Sequence, residues 1–313
     1  MEELNGKNLD NKKEYPAESG VSFDKFVEGG IEISLAHIRD NYENRKNPLE
    51  NLAFHNTGHT KTIVRRVDKI LEALGADTRT RSLGRLFAGG HDTVQNWEAK
   101  TAENGNIVRD RSPFPNERDS FRMIGDYMEA VNKNEGREIF TEEDIALGDE
   151  AIMATKASGP GSWDSERGTV IQQNLNEKSS LLARVLALAD IGGAGMDGGK
   201  QFIYEGNTFF REDNLDILDV MSHAEKLSAL TDEQKESLRK RMISWGVSQQ
   251  KFAEGRMARF EMEIAGLTEK EKDVLRKEIF NKFDNSIEAV KNKASERESM
   301  GFEELARDFG YTI

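Results

Sequence analysis

Apolar residues recur every three or four positions along most of this chain and almost never alternate, a pattern that commits it to helices packed on helices. From Thr60 the apolar positions are Ile63, Val64, Val67, Ile70, Leu71 and Leu74, one helical stripe that Gly75 stops. Leu83, Leu86 and Phe87 continue onto His91 at the same spacing. Ser179 is placed to cap a helix that carries Leu182, Val185, Leu186 and Ala189 into Asp190. No proline follows Pro160, so long unbroken helices are permitted beyond it. One stretch, Gln201 to Phe210, suits a short β-hairpin. The expected fold class is all-α, a helical bundle with additional C-terminal helices.

The chain divides coarsely. Residues 1–20 are polar and acidic with no apolar h-region, which reads as a flexible tail and not as a secretory signal. Residues 21–215 form the domain that carries the candidate site, opened by a lead-in helix over 21–45. Residues 216–313 form a charged helical region that packs on that domain or completes it. Within the domain, 98–118 and 157–168 read as loops, and Gly192 to Gly199 (GGAGMDGG) as a flexible turn that lacks the context of a nucleotide fingerprint. The charge runs at 232–241 and 268–278 read as solvated helix faces.

Composition closes several routes. There is no cysteine, so thiolate nucleophiles, disulfides and cysteine zinc sites are excluded, and a cytoplasmic location is compatible. The net charge of −13 argues against non-specific nucleic-acid binding. No apolar stretch approaches the roughly 20 residues that a bilayer requires, so no membrane partner is expected. A small anionic ligand would need local positive charge, and a divalent cation is its simplest source.

Five histidines are present: His37, His55, His59, His91 and His223. Phe54-His55-Asn56-Thr57-Gly58-His59 spaces two imidazoles by four residues, which on a helix or at its first turn places both on one face. Gly89-Gly90-His91-Asp92 closes an apolar stripe, and Asp190 closes another. A carboxylate on so apolar a run needs a partner, because burying it uncompensated is costly. Two imidazoles and two carboxylates make a nitrogen and oxygen set that suits Mn, Mg, Ni, Co, Fe or Zn. His37 and His223 read as structural or surface residues.

The order H…HD…D, each element on an apolar helix, resembles the HD superfamily of metal-dependent phosphohydrolases. His55-Asn56-Thr57-Gly58-His59 is similar to the H-N-x-x-H signature of its cyclic-nucleotide phosphodiesterase branch. The motifs span roughly residues 46–260. The resemblance implies that His59, His91, Asp92 and Asp190 hold one divalent metal, with Asp92 able to bridge to a second, mostly water-held ion. It implies that His55 is the general acid, and that Glu117 orients the His55 side or a water of the second ion. Gln249-Gln250-Lys251-Phe252 is similar to the Q-x-x-F arrangement that clamps a purine, which makes Gln249 and Phe252 substrate-binding candidates. Lys156 is a further candidate for a substrate phosphate, against the plainer reading of an exposed lysine at a helix end. No histidine occurs between His91 and His223, which argues against the HD-GYP group. The implied activity is hydrolysis of a phosphoester or phosphodiester in a nucleotide-like small molecule. The alternative is a catalytically silent HD fold that serves as a nucleotide sensor or interaction module. The intact set of four ligands and His55 weighs against that alternative.

Overall fold

Side-chain caps mark where many of the helices begin. In the computed structural model, which describes residues 22–313, the Ser22 hydroxyl accepts from the Asp24 amide and starts α1 (Phe23–Ile38). The expected 1–20 tail lies outside the described residues. The lead-in helix runs on as one π-helical turn, Arg39–Glu43. Asn56 caps α2 (Thr57–Ala73) by accepting from the Gly58 and His59 amides, and Asp77 caps α3 (Thr78–Gly90). A hairpin of β1 (Glu98–Thr101) and β2 (Ile107–Asp110) follows, where a loop was expected; Gly105, at φ +83°, allows the tight return. Next come α4 (Asn116–Glu135) and α5 (Glu142–Ala154), the latter opened by a Thr141–Asp144 capping box. A minimal hairpin of β3 (Trp163–Asp164) and β4 (Thr169–Val170) sits in and just beyond the second expected loop. The cap of α6 (Leu181–Asp190) is Ser180 and not Ser179, whose hydroxyl instead accepts from the Asn176 amide.

Two other expectations are corrected. The segment Gly192 to Gly199 is not an open turn, because a short buried helix, α7 (Gly193–Met196), lies inside it. Gln201 to Phe210 is not a hairpin but part of α8 (Gly199–Asp213). Phe202, Gly206 and Phe210 are buried four residues apart while Tyr204 is 58% exposed, so packing imposes the helical period on a stretch whose aromatic residues favour strand. The remainder is helical: α9 (Leu215–Met221), α10 (Ala224–Ser228), α11 (Asp232–Glu263), α12 (Glu269–Val274), α13 (Phe283–Glu298) and α14 (Phe302–Asp308). The fold is all-α, with only the two small hairpins as sheet among the described residues.

The main core joins Ile31, Ile63, Leu86, Phe87, Met128 and Leu186 of the first six helices to Ala253 and Phe260 of α11. A second core, with Phe210, Ile217, Met242, Leu305 and Phe309, lies between α8, α9, α11 and α14. Helix α11 therefore contributes to both, and the C-terminal region is packed into the core that carries the site. The glycine pair before His91 sets how closely α3 is seated. A β-carbon on Gly89 would lie 2.8 Å from Ile31 Cγ1, and one on Gly90 2.2 Å from Ile124 Cγ1. Gly90→Ala is expected to lower unfolding free energy by about 1–3 kcal/mol through overpacking. Urea denaturation of the two proteins measures this; an unchanged midpoint would show that the α3–α4 contact yields without cost.

Candidate metal centre and its cavity

Three helix ends deliver the four expected ligands to one point. His59 stands in the first turn of α2, His91 and Asp92 follow the last turn of α3, and Asp190 is the last residue of α6. One ligand atom from each lies within 4.8 Å of all the others. His91 Nε2 is 3.0 Å from Asp92 Oδ2 and 3.5 Å from Asp190 Oδ1, and His59 Nε2 is 3.4 and 3.5 Å from the same two oxygens. Metal–ligand bonds of about 2.1 Å would place cis donors about 3 Å apart and trans donors about 4 Å apart, so the spacing fits one ion.

The hydrogen bonds point to the same occupant. His91 Nδ1–H donates to the Ala88 carbonyl at 2.8 Å, which leaves Nε2 with its lone pair. That Nε2 and both ring nitrogens of His59 are buried without a hydrogen-bond partner in the protein. Gln95 Nε2 donates to Asp92 Oδ1 at 3.0 Å and fixes the carboxylate from behind. Phe54 packs over the His59 ring with centroids 4.4 Å apart. Burial alone would lower the pKa of both imidazoles, but the carboxylates of Asp92 and Asp190 outweigh it and hold both above the ordinary histidine value. Burial would raise the two carboxyls, yet the imidazoles hold both below the ordinary range, Asp92 furthest. This group could hold a metal ion.

His55 does not share the helix with His59. It precedes the Asn56 cap, and its placement comes from Glu212, near the end of α8. Glu212 Oε2 accepts from the Phe54 and His55 amides at 2.6 and 2.9 Å, and Oε1 lies 2.5 Å from His55 Nδ1. Arg111 Nη2 donates to the same Oε1. Burial would raise the Glu212 carboxyl, but the charges of His55 and Arg111 drive it well below the carboxylate range. Nothing in the apolar periodicity around position 212 marks this residue, whose carboxylate partners His55 and Arg111 lie far away in sequence.

Asp92, Asp190 and His55 open into a cavity of about 660 Å³. Glu117, in the first turn of α4, lines it, and burial raises its carboxyl. Gln249 and Phe252 line it from α11. Lys156 is half-buried and does not line it, though its charge bears on the Glu117 carboxyl. Cations that sequence reasoning missed do line it: Arg109, Arg111 and Lys251, against five carboxylates, Asp92, Asp110, Glu117, Asp190 and Glu205. Arg109 stacks on Trp97 at 3.9 Å and donates to the Glu212 and Leu49 carbonyls, and burial brings its pKa down to about 10. His37 and His223 lie outside the cavity lining.

Comparison of the chain with protein-family models, with curated proteins and with solved structures finds no match. Among the described residues no helix is long and apolar enough to cross a membrane.

Because the ligands must be deprotonated, protons and metal compete for the four groups. His59 and His91 hold their protons to higher pH than a free imidazole, so metal uptake near neutral pH is expected to release protons and affinity to fall as pH is lowered. Titration calorimetry with Mn²⁺ in two buffers of different ionisation enthalpy reads the release directly; equal apparent enthalpies would contradict it. Gln95→Leu is expected to weaken metal affinity about 10–100-fold, the scale for losing a partner behind a ligand. Asp190→Asn, which removes a ligand charge, should weaken it further.

Proposed function

We propose that the chain is a metal-dependent phosphohydrolase that cleaves a phosphoester or phosphodiester in a nucleotide-like small molecule. The observation that carries this reading is the juxtaposition of the four-ligand cluster with the Glu212–His55 pair at one end of a single cavity. A divalent ion held by His59, His91, Asp92 and Asp190 would supply Lewis acidity to a phosphoryl group and lower the pKa of a water.

The chain's own residues account for the rest of the reaction. Glu212 engages His55 at Nδ1, so the imidazole meets the cavity with Nε2. A protonated His55 delivers its Nε2 proton to the leaving oxygen as the phosphorus–oxygen bond breaks and that oxygen keeps the bonding pair. The oxygen of water forms the new bond to phosphorus, and its proton passes to Glu117, whose raised carboxyl suits it to accept. The products are a phosphate or phosphomonoester and a free hydroxyl. Phe54, over His59 and edge-on to His55 at 4.9 Å, keeps bulk water from that side of the pair.

A screen of Mn, Mg, Ni, Co, Fe and Zn against mono- and diester substrates, with Asp92→Ala as control, tests the proposal. Metal-dependent turnover that the control loses is expected. Metal binding with no turnover on any substrate would defeat it in favour of a sensor.

His55→Asn is expected to lower kcat about 10²–10⁴-fold for an ester of an aliphatic alcohol, with metal affinity retained. The loss should be much smaller for a p-nitrophenyl ester, whose leaving group departs without a proton. An equal loss on both esters would place His55 outside proton transfer.

A further inference from the structure

One wall of the cavity is built from α8 and α11 in three rungs. Phe202, Gly206 and Phe209 on α8, and Trp245, Gln249 and Phe252 on α11, each follow i, i+4, i+7 spacing, and all six line the cavity. The helices meet antiparallel. Phe202 stacks with Phe252 at 6.2 Å and 18°, and Phe209 with Trp245 at 6.0 Å and 11°. Between these aromatic rungs lies a Gly206–Gln249 rung, so close that a β-carbon on Gly206 would lie 2.7 Å from Gln249 Oε1. Trp245 Nε1–H donates to the Gly206 carbonyl at 3.0 Å, so the indole's polar edge is satisfied, and the ring, which also packs on Phe210 at 5.6 Å, meets the cavity with apolar surface.

A seam between two helices normally fills itself with interlocking side chains. Here Phe209, Trp245, Gln249 and Phe252 are only half-buried and face one open cavity. The two aromatic rungs are also unequal. Phe209 lies edge-on to Phe54 at 5.5 Å and 6.2 Å from the His55 ring, so its rung stands beside the proton donor. The Phe202–Phe252 rung is seven residues away, about 10 Å along the helix at 1.5 Å per residue, beyond the reach of one nucleobase that touches the first.

We infer that this wall receives a phosphodiester with a planar ring on each arm. The leaving arm rests on Phe209–Trp245, where His55 protonates the departing oxygen. The retained arm rests on Phe202–Phe252, and the Gln249 amide bonds a polar edge between them. The substrate class is a diester of the dinucleoside type, in place of a monoester or a diester with one ring. Water supplies the oxygen that joins phosphorus, as in the hydrolysis above. The inference rests on that phosphohydrolase reading.

The test compares adenylyl-(3′→5′)-adenosine, with two rings, and the methyl ester of adenosine 5′-phosphate, with one. Each is followed with the metal-loaded full chain by calorimetric binding and by hydrolysis. Binding and kcat/KM are expected to favour the two-ring probe by about tenfold, the scale of one base–aromatic stack. Trp245→Ala and Phe252→Leu should each abolish the preference, and Trp245→Phe should keep most of it. Phe252→Leu retains apolar volume, so its readout does not depend on a disruptive truncation. Equal affinity and equal kcat/KM for the two probes, with hydrolysis intact, would overturn the two-arm assignment alone. Preferential binding of the two-ring probe with no hydrolysis under any metal would uphold the wall and overturn the hydrolase. A preference that survives both Trp245→Ala and Phe252→Leu would remove these rungs from recognition.

Discussion

Two imidazoles and two carboxylates meet where three helix ends converge on an apolar core, and the rest of the molecule is arranged around keeping them there. Charges in such a place are tolerable only when they are neutralised by one another or by a cation. The histidines share the protons of a neutral pair with the aspartates, or the four share an ion. Buried ring nitrogens without a hydrogen-bond partner are compatible with the second arrangement, in which the four residues hold a metal ion. The glycine pair at 89 and 90 serves the same end, since it lets α3 approach α1 and α4 closely enough for His91 to reach the convergence point.

Buried arginines hold the surrounding scaffold. Arg66, wholly inside, donates to Asp197 at 2.7 Å, to Glu205, and to the Ala189 carbonyl at 3.2 Å, next to the ligand Asp190. It thereby ties α2, α6 and α8 together at the level of the site. Arg111 does the parallel service for Glu212, and Arg256, paired with Glu263 on the same helix, reaches from α11 to the Val170 carbonyl of β4 at 3.4 Å. Pairs of this kind are neutral to costly in stability, but loss of one member leaves a stranded charge. They define where elements sit more than how firmly the protein folds.

Much of this was legible in the sequence, for a physical reason in each case. The four candidate ligands lie at the ends of apolar stripes, and such stripes have a period that can be read directly. His59, His91, Asp92 and Asp190 were identifiable because a polar group at the end of a buried helix requires a partner. Glu212 was not, because it gains its role from residues some hundred and more positions away, Arg111 and His55, and local pattern carries no trace of tertiary pairing. The aromatic-rich segment over 201–210 was misassigned because Phe and Tyr favour strands in isolation, whereas here packing against α11 and α13 selects the helix. Lys156 is the opposite case: its neighbours Thr155 and Ala157 line the cavity and it does not, while Arg109 and Arg111 reach the cavity from a hairpin that was expected to be a loop.

The balance of charge around the cavity has a consequence for what enters it. Five carboxylates and three cationic side chains line it, and the cations are already engaged: Arg109 with backbone carbonyls, Arg111 with Glu212, and Lys251 with the Ser165 carbonyl at 3.4 Å. Arg109 and Lys251 keep their charge beside neutral carbonyls, so what remains is a lining with more acidic than basic side chains. A cation held by the four-residue group would offset that excess where Asp92 and Asp190 face the cavity. By this electrostatics a cation is drawn into the lining more readily than an anion, and a cation held there would ease an anion's entry. The acidic lining thus disfavours small anions in general for as long as no cation sits among the four residues.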